Sequence, residues 1–456
     1  MSEQSVATYL EANRDRHLEE LLEFLRIPSV STDPKHREDV HRCAQWVADH
    51  LSGIGLEGVE IHQTGGHPIV YAEHCKAGDD APTILIYGHY DVQPPEPLEE
   101  WISPPFEPRI ADGKIFARGA TDDKGQVFCH FKGLEAQLAV HGALPVNVKL
   151  LIEGEEEVGS DHLEPWIEAH AELLKCDAVV ISDSSMFAPG LPSITYSLRG
   201  LMYCEVTVRG PGHDLHSGLY GGAVPNPINI LSKLIAGLHD DEGRVTVEGF
   251  YDRVRELEAE ECEAFASLPT SDEAFLKEVG APATHGEAGY TTLERRWARP
   301  TLDCNGIWGG FTGEGAKTVI PSKAHAKISC RLVPDQDPHE VEAMLERHLK
   351  AHAPPSVEVI FKPHHGARPT IAERDNPTVR AALRALSRSW GTEAVFIRGG
   401  GSIPVVEGFE RLLGVSSVLI GLGLNDDRLH SPNEKFDLEN FFHGIETSAF
   451  LFEELA

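Results

Sequence analysis

The chain has 456 residues, of which 41% are hydrophobic, enough for two domains with separate cores and unlike the composition of a disordered protein. Its formal net charge of −32 opposes binding to nucleic acid or to an anionic membrane, and the sequence contains no local basic patch that would offset this charge. We therefore expect neither partner.

The N-terminus and the cysteines bear on the cellular compartment. Residues 1–6 have neither the basic nor the apolar region of a signal peptide, and no segment approaches the length of a membrane span. Eight cysteines are scattered without a Cys-x-x-Cys pair, so we expect reduced thiols that act mainly as small buried hydrophobes. We expect a cytoplasmic protein.

The first two hundred residues alternate predicted helices and strands. Apolar residues at helical spacing predict an N-terminal helix: Leu18, Leu21, Leu22 and Leu25. Apolar runs at 83–87, 146–152 and 178–182 are typical of buried parallel strands, and a helix is predicted from Asp122 to a stop at Gly142. This alternation predicts an α/β domain with a mostly parallel sheet.

The pattern changes after residue 199, and residues 200–375 predict a smaller α+β domain of the ferredoxin-like type. Its predicted elements are strands at 201–209, 324–332 and 357–361 and helices at 225–238 and after Asp337, the first residue of a capping box. The acidic stretch 239–303 is irregular, and we interpret it as a helical excursion of this domain.

The first pattern returns near residue 376. A helix is predicted to begin at Pro377 and to run to Trp390, and an apolar run at 415–420 precedes His430. The smaller domain is therefore predicted to be inserted into a discontinuous larger one, formed by residues 1–199 and 376–456.

Five potential metal ligands are associated with predicted strand ends in the larger domain: His89, Asp122, Glu157, Asp183 and His430. Ligand sites in open α/β sheets lie outside the carboxyl ends of the strands, so we expect these side chains to meet. Paired catalytic ions lie about 3.5–4 Å apart and need a bridging carboxylate, for which Asp122 is our candidate and Asp123 the alternative. Imidazole and carboxylate ligands suit zinc, manganese or cobalt better than calcium or magnesium but do not choose among the first three, of which zinc is our first choice. The set predicts a hydrolase with two divalent metal ions.

Neighbouring carboxylates are predicted to support these ligands. Asp91 shares a strand face with His89, and ligating imidazoles usually donate their second N–H to such a group, so we expect Asp91 to orient His89. Glu155, Glu156 and Glu157 are adjacent, which means that the roles of base and ligand could shift by one residue.

Four segments together resemble a known family: Gly88-His-Tyr-Asp-Val-Gln-Pro94, Arg118-Gly-Ala-Thr-Asp-Asp-Lys-Gly125, Glu153-Gly-Glu-Glu-Glu-Val-Gly-Ser160 and His430-Ser-Pro-Asn-Glu434. In kind and order they resemble the M20 metallopeptidases, and most closely the dipeptidase branch that includes cytosolic nonspecific dipeptidase and carnosinase. The resemblance covers nearly the whole chain. It implies that His89 and Asp183 hold one ion, Glu157 and His430 hold the other, Asp122 bridges them, Glu156 is the general base and Asp91 supports His89.

The same resemblance implies that the inserted domain is a lid and a dimerisation surface, which makes the protein a homodimer. His216, in Asp214-Leu-His-Ser-Gly218, would stabilise the oxyanion in the partner subunit's active site, although a histidine in a glycine-rich turn is by itself usually a surface residue. Arg331, on the polar face of its strand with Lys327 and Ser329, could grip a terminal carboxylate through a bidentate pair.

Further substrate contacts are expected around Arg398-Gly-Gly-Gly-Ser-Ile-Pro404. This run lacks the lysine of a Walker loop and the spacing of a dinucleotide fingerprint, so we do not expect a nucleotide. Its glycine N–H groups and Ser402 could instead bind a carboxylate. Similar dipeptidases carry Arg-Glu-Gly-Gly-Ser here, from which Gly399 departs. Thr318 and His365 also match substrate-side positions of the family.

The leading hypothesis is a dipeptidase that hydrolyses free dipeptides. The first alternative is an N-acyl-amino-acid deacylase or aminoacylase of the same clan, with the same metal site and a different pocket. The second is a non-catalytic metal-binding scaffold. The presence of Glu156 beside all five ligands argues against the scaffold, because holding a metal ion requires no general base.

Overall fold

A computed structural model describes residues 5–401 and 403–456, without the side chains of His365 and Pro404. The chain forms two compact units. Unit 1 comprises the residues up to Tyr196 together with Ala372–Ile397 and Gly408–Ala456, and unit 2 comprises Ser197–Ile371 and Arg398–Glu407. The chain therefore enters unit 2 twice, the second time through the glycine-rich run that begins at Arg398.

The described residues form helices and strands with the following bounds. The helices are α1 (Val6–Ala12), α2 (Arg14–Leu25), α3 (Arg37–Gly53), α4 (Lys124–His141), α5 (Leu163–Ala169), α6 (Ser217–Tyr220), α7 (Pro227–Ala236), α8 (Ala259–Ala266), α9 (Asp272–Val279), α10 (Thr292–Trp297), α11 (Pro338–His352), α12 (Pro377–Trp390), α13 (Pro404–Leu413) and α14 (Leu438–Leu455). The strands are β1 (Glu57–His62), β2 (Ile69–His74), β3 (Thr83–His89), β4 (Arg109–Ala111), β5 (Lys114–Phe116), β6 (Asn147–Glu153), β7 (Ala178–Ile181), β8 (Ser193–Leu198), β9 (Gly200–Arg209), β10 (Leu215–His216), β11 (Thr301–Gly309), β12 (Val319–Ile320), β13 (Lys323–Leu332), β14 (Glu358–Ala367), β15 (Thr370–Ile371), β16 (Val395–Gly399), β17 (Ser417–Ile420) and β18 (Lys435–Asp437).

The main sheet of unit 1 has the strand order β1-β2-β6-β3-β7-β17-β8, with β16 also paired to β8. Its four central strands, β6, β3, β7 and β17, are parallel, whereas β2 and β8 join this centre in antiparallel fashion. The prediction of an α/β fold is confirmed, and the parallel part of the sheet is its centre. A small sheet, β18-β5-β4, completes the unit.

The core of unit 1 is built around α4, which is buried along almost its whole length. The predicted stop is confirmed, because Gly142 caps the helix in a left-handed conformation with φ 72°. The predicted start at Asp122 was wrong. The helix begins at Lys124, and Asp122 remains outside it in an irregular segment.

Unit 2 contains a four-stranded antiparallel sheet in the order β11-β13-β9-β14. Helix α7 follows β9 and α11 follows β13, which gives the βαββαβ succession of ferredoxin-like folds. The expected alternation in β13 is present, with every second side chain buried. Asp337 caps α11 by accepting the amides of His339 and Glu340. Helices α8, α9 and α10 occupy the acidic stretch whose pattern was irregular.

All eight cysteines lie in the described ranges and are free thiols, four of them buried. Within those ranges no helix combines the length and the apolar character needed to cross a membrane.

Candidate metal centre

Three neighbouring parallel strands of unit 1 end at the same edge of the sheet. His89 is the last residue of β3, Glu157 lies in a short 3-10 turn after β6, and Asp183 follows β7 by two residues. Asp122 immediately precedes the capping residue of α4, and His430 lies between β17 and β18. The fold thus brings together five side chains that are distant in sequence, at the edge where α/β folds place ligand sites.

The five side chains form two groups that share one carboxylate. His89, Asp122 and Asp183 each offer a ligand atom within 4.8 Å of the others, and so do Asp122, Glu157 and His430. His89 Nε2 lies 3.2 Å from Asp122 Oδ1, whereas His430 Nε2 lies 2.9 Å from Asp122 Oδ2. Asp122 therefore presents one oxygen to each histidine, as a carboxylate between two ions would.

Added positive charge would stabilise the ionised form of the buried carboxylates in these two groups. Burial, reinforced by repulsion from Asp122, raises the pKa of Asp183 to about 7 and that of Glu157 to about 8. Burial also acts to raise the pKa of Asp122, but its close contacts with the imidazoles of His430 and His89 lower it below its ordinary value. Buried carboxylates that resist ionisation in the protein alone would be ionised beside a divalent cation.

The surroundings of His89 give a direct test of whether a cation fits. Its Nε2 is buried and has no hydrogen-bond partner among the described residues, yet it lies 3.2 Å from an Asp122 oxygen and 3.9 Å from an Asp183 oxygen. Burial acts to lower the pKa of His89, but its contacts with Asp122 and Asp91 raise it well above the ordinary value, so positive charge is favoured at this point. A divalent metal ion between these atoms would supply that charge, and the donor set fits such an ion.

A third acidic cluster in unit 1 provides a contrast. Glu20, His50 and Glu135 also offer ligand atoms within reach of one ion. There, however, the buried ammonium of Lys132 contacts both carboxylates. Burial acts to raise the pKa values of Glu20 and Glu135, but their cationic neighbours lower both, so no further positive charge is required.

Asp91 connects the end of β3 to the turn that carries Glu156 and Glu157. His89 Nδ1 lies 3.1 Å from the main-chain oxygen of Asp91 and 3.3 Å from its Oδ1. The Asp91 carboxylate also accepts the amides of Glu156 at 3.3 Å and Glu157 at 3.1 Å. Asp91 thus contacts an imidazole of one group and positions the backbone of a carboxylate in the other.

The three consecutive glutamates have different environments. Glu155 pairs with His162, with 2.9 Å between Oε2 and Nδ1, and Glu157 belongs to the second ligand group. Burial, opposed by His89 and reinforced by Asp91, raises the pKa of Glu156. Glu156 is therefore a carboxylate beside the ligand groups with increased affinity for a proton.

Asp123, the alternative to Asp122, has a different position. Its Oδ2 accepts the main-chain N–H of His89 at 3.1 Å, and its pKa is raised well above the ordinary value, first by burial and then by Asp183. A side chain at Gly88 would lie 2.7 Å from this oxygen and 2.6 Å from Val127, so only glycine permits this approach of β3 to α4. Asp123 belongs to neither ligand group.

Two positioning residues were missed by sequence reasoning although both lie in the quoted segments. The Glu434 carboxylate accepts the amides of Thr121 at 3.0 Å and Asp122 at 3.1 Å, which ties the His430 segment to the shared carboxylate. Gln93 donates to Glu157 Oε2 at 2.8 Å. Both could have been identified from the sequence as polar side chains within the segments that carry the ligands.

The remaining site candidates lie in unit 2. His216 is exposed on β10, which pairs with β12 beside Thr318, whose main-chain oxygen accepts the Ser217 amide at 3.0 Å. Arg331 lies on the partly exposed face of β13. Ser402 and the side chain of His365 lie outside the described residues.

An α/β unit that gathers imidazoles and carboxylates at the carboxyl ends of its parallel strands has the architecture of a metal-dependent hydrolase. The family model "Peptidase family M20/M25/M40" matches residues 85–454, and the chain belongs to this family. Its relatives include the Cys-Gly metallodipeptidase of Schizosaccharomyces pombe, 35% identical over 100% of this chain and 99% of the relative. They also include human Beta-Ala-His dipeptidase, 33% identical over 99% of this chain and 92% of the relative.

A solved structure supports the fold over almost the full length. The M20 family metallo-carboxypeptidase of Sulfolobus solfataricus is 34% identical and superposes with a TM-score of 0.82 over 96% of this chain and 99% of that protein. The prediction of an M20 metallopeptidase is confirmed.

Proposed function

We propose that this protein is a metal-dependent dipeptidase that hydrolyses the peptide bond of free dipeptides with two divalent ions. Zinc is our first choice of ion, and manganese and cobalt are the alternatives. The observation that carries the proposal is the carboxylate of Asp122, one oxygen of which lies by His89 and the other by His430. The names of two full-length relatives, which act on Cys-Gly and on β-Ala-His, support dipeptides as the substrate class.

The proposed chemistry assigns proton transfer to Glu156. Ions at the two groups would acidify a water molecule and polarise the scissile carbonyl. Glu156 would accept the proton of that water and pass it to the leaving amine, because its carboxylate lies next to Glu157 and belongs to neither ligand group. Asp91 holds the amide of Glu156 and contacts His89, so it positions the base and orients the ligand.

We further propose that unit 2 is a lid and a dimerisation domain. It exposes large apolar side chains that a second copy of the chain would cover, among them Leu219, which is 77% exposed, with Tyr220, Ile307, Trp308 and Phe311. His216 would act in the partner subunit's site. Its Nδ1 accepts the Gly218 amide at 3.0 Å, so in the neutral ring Nε2 carries the proton and can donate to an oxyanion.

The substrate's terminal carboxylate is assigned to unit 2. Arg331 offers a planar guanidinium on a partly exposed strand face, which suits bidentate binding. We assign Thr318, Ser402 and His365 as further substrate contacts.

The proposal can be tested by measuring amino-acid release from a panel of substrates, with and without a chelator. The panel contains free dipeptides, tripeptides, N-blocked dipeptides and N-acetyl amino acids. Chelator-sensitive cleavage confined to free dipeptides is the expected result. Preference for N-blocked or longer peptides would instead support a carboxypeptidase, as the Sulfolobus structure is named, and preference for N-acetyl amino acids would support a deacylase. Absence of any release would support a metal-binding scaffold.

A further inference from the structure

Helix α11 of unit 2 carries two histidines, His348 and His352, one turn apart at its C-terminal end. Residues four positions apart lie on the same face of a helix, and here the two imidazole rings are stacked with 4.1 Å between their centroids. His348 is partly exposed and His352 is exposed, so solvent reaches the pair. Both histidines belong to one helix, which by itself sets the spacing between them.

A hydrogen bond leaves one nitrogen of His352 available as a ligand. Its Nδ1 lies 2.8 Å from the main-chain oxygen of His348, which can only accept, so Nδ1 carries the proton and Nε2 of the neutral ring keeps its lone pair. Burial, together with the charge of His352, lowers the pKa of His348, so this ring is neutral at neutral pH. Histidines that bind metals commonly have the arrangement of His352, with one ring nitrogen donating to a carbonyl and the other free to coordinate.

The charges around the pair allow a cation to approach. The last carbonyls of α11 form the negative end of the helix dipole, next to His352. Arg347 and Lys350 are the cations on these turns, but they lie one and two positions from His348, and residues at those spacings do not face each other. Lys350 is also paired with Glu346 at 2.5 Å. Within the described chain, His352 is the one titratable group whose charge shifts the pKa of His348.

We propose that His348 and His352 form a surface site on unit 2 for one divalent transition-metal ion that prefers imidazole ligands, namely Cu²⁺, Ni²⁺ or Zn²⁺. Two histidines four positions apart on one helix have the spacing with which helices bind zinc in other proteins, and imidazole suits all three ions. The χ2 angle of histidine is broadly distributed, so the stacked rings can turn until both present a nitrogen to one ion. Water completes the coordination of that ion.

This site shares no residue with the metal centre of unit 1 and involves no substrate. An ion held there would connect the last two turns of α11. Because the proposal depends on one helix alone, it stands or falls separately from the proposed dipeptidase function.

The test is a calorimetric titration of Ni²⁺ into protein that has first been incubated with Zn²⁺ and dialysed. We expect one Ni²⁺ ion to bind per chain. His348→Gln and His352→Gln should each weaken this binding at least about tenfold, since losing a ligand costs no less than losing the hydrogen-bond partner of a ligand. His352 is exposed, so at least this variant should fold normally. Elemental analysis of zinc in the titrated protein shows whether Ni²⁺ has exchanged into the centre of unit 1.

His339→Gln is the matched control. His339 is exposed on the same helix and has an alanine, Ala343, four positions further along, so the variant should bind Ni²⁺ as the wild type does. Absence of Ni²⁺ uptake by the wild type beyond exchange with zinc would overturn the inference, and so would uptake that His348→Gln and His352→Gln both retain. An equal loss in His339→Gln would likewise overturn it, because the binding would then come from scattered surface histidines.

Discussion

The buried guanidinium of Arg118 donates a 2.7 Å hydrogen bond to the carboxylate of Glu434. The same carboxylate accepts the amides of Gly119, Thr121 and Asp122, so one side chain fixes the backbone around the shared ligand. Both ends of the ion pair are almost completely inaccessible to solvent, and its loss would leave a charge without compensation.

We expect Glu434→Gln to lower the free energy of unfolding by about 3 kcal/mol, because the variant keeps the size of the side chain but leaves the Arg118 charge buried and unpaired. Urea titration monitored by circular dichroism measures the change. Glu439→Gln, at an exposed position nearby, is the control and should differ from the wild type by less than about 0.5 kcal/mol. Equal stabilities of Glu434→Gln and the wild type would mean that this ion pair does not hold the segment.

Replacing Asp122 should remove more bound metal than replacing Asp183. Asp183→Asn disturbs one ligand group and should leave about one ion per chain, whereas Asp122→Asn disturbs both groups and should leave fewer. Elemental analysis after dialysis against metal-free buffer measures the content. Exposed Asp161→Asn is the control and should retain the wild-type content. Equal losses in the Asp122 and Asp183 variants would argue against a shared ligand.

Glu156→Gln should lower kcat by about 10²–10⁴-fold with unchanged metal content, because an amide cannot accept the proton. Steady-state kinetics and metal analysis on the same preparation separate the two effects. Glu155→Gln is the matched control, since Glu155 pairs with His162 outside both ligand groups. Loss of metal in Glu156→Gln would show that the base and ligand roles had been assigned to the wrong residues.

The proposal that His216 acts in the partner subunit's site predicts complementation. After subunit exchange, an equal mixture of His216→Ala and Glu156→Gln chains should recover about a quarter of the wild-type activity, because half of the dimers are mixed and each has one intact site. His213→Ala, a nearby exposed histidine, should keep full activity by itself. An inactive mixture with proven exchange would place His216 in its own subunit's site.

The ionisation of Glu135 should make the free energy of unfolding depend on pH. Burial acts to raise its pKa, but hydrogen bonds from His17 and Arg16 and the charge of Lys132 lower it below its ordinary value. A depressed folded-state pKa contributes stability above the unfolded value of about 4.3, and this contribution is lost as pH falls further. We expect Glu135→Gln to cost about 3 kcal/mol at pH 7, with a smaller difference from the wild type below pH 4.

Urea titrations at pH 7 and at pH 3.5 would measure how far the difference in free energy of unfolding between Glu135→Gln and the wild type decreases. Glu23→Gln, on the exposed side of α2, is the control, for which no pH-dependent difference from the wild type is expected. A constant difference between Glu135→Gln and the wild type at both pH values would contradict the assignment.

Strand runs and ligand-bearing segments could be predicted from the sequence because each has a local signature. The apolar run that ends in His89 and the helix that begins at Pro377 are set by residues a few positions apart. The left-handed backbone of His430, with φ 58°, could not be predicted, because only the surrounding contacts hold a histidine in that conformation.

Contacts between segments that are distant in sequence also could not be predicted. The antiparallel flanks of the sheet depend on which strands meet at its edges, and such pairings carry no local signal. Asp122 was predicted as a helix start because the pattern could not show that the helix begins two residues later.

The position of β17 in the main sheet determines when the sheet can be completed during synthesis. This strand lies between β7 and β8, although it follows β8 by more than two hundred positions in the chain. During synthesis the ribosome therefore releases all of Ser197–Ile371 while the sheet still lacks an interior strand and has open edges on β7 and β8. Until β17 has been made, those two edges present unpaired backbone groups that other strands could pair with.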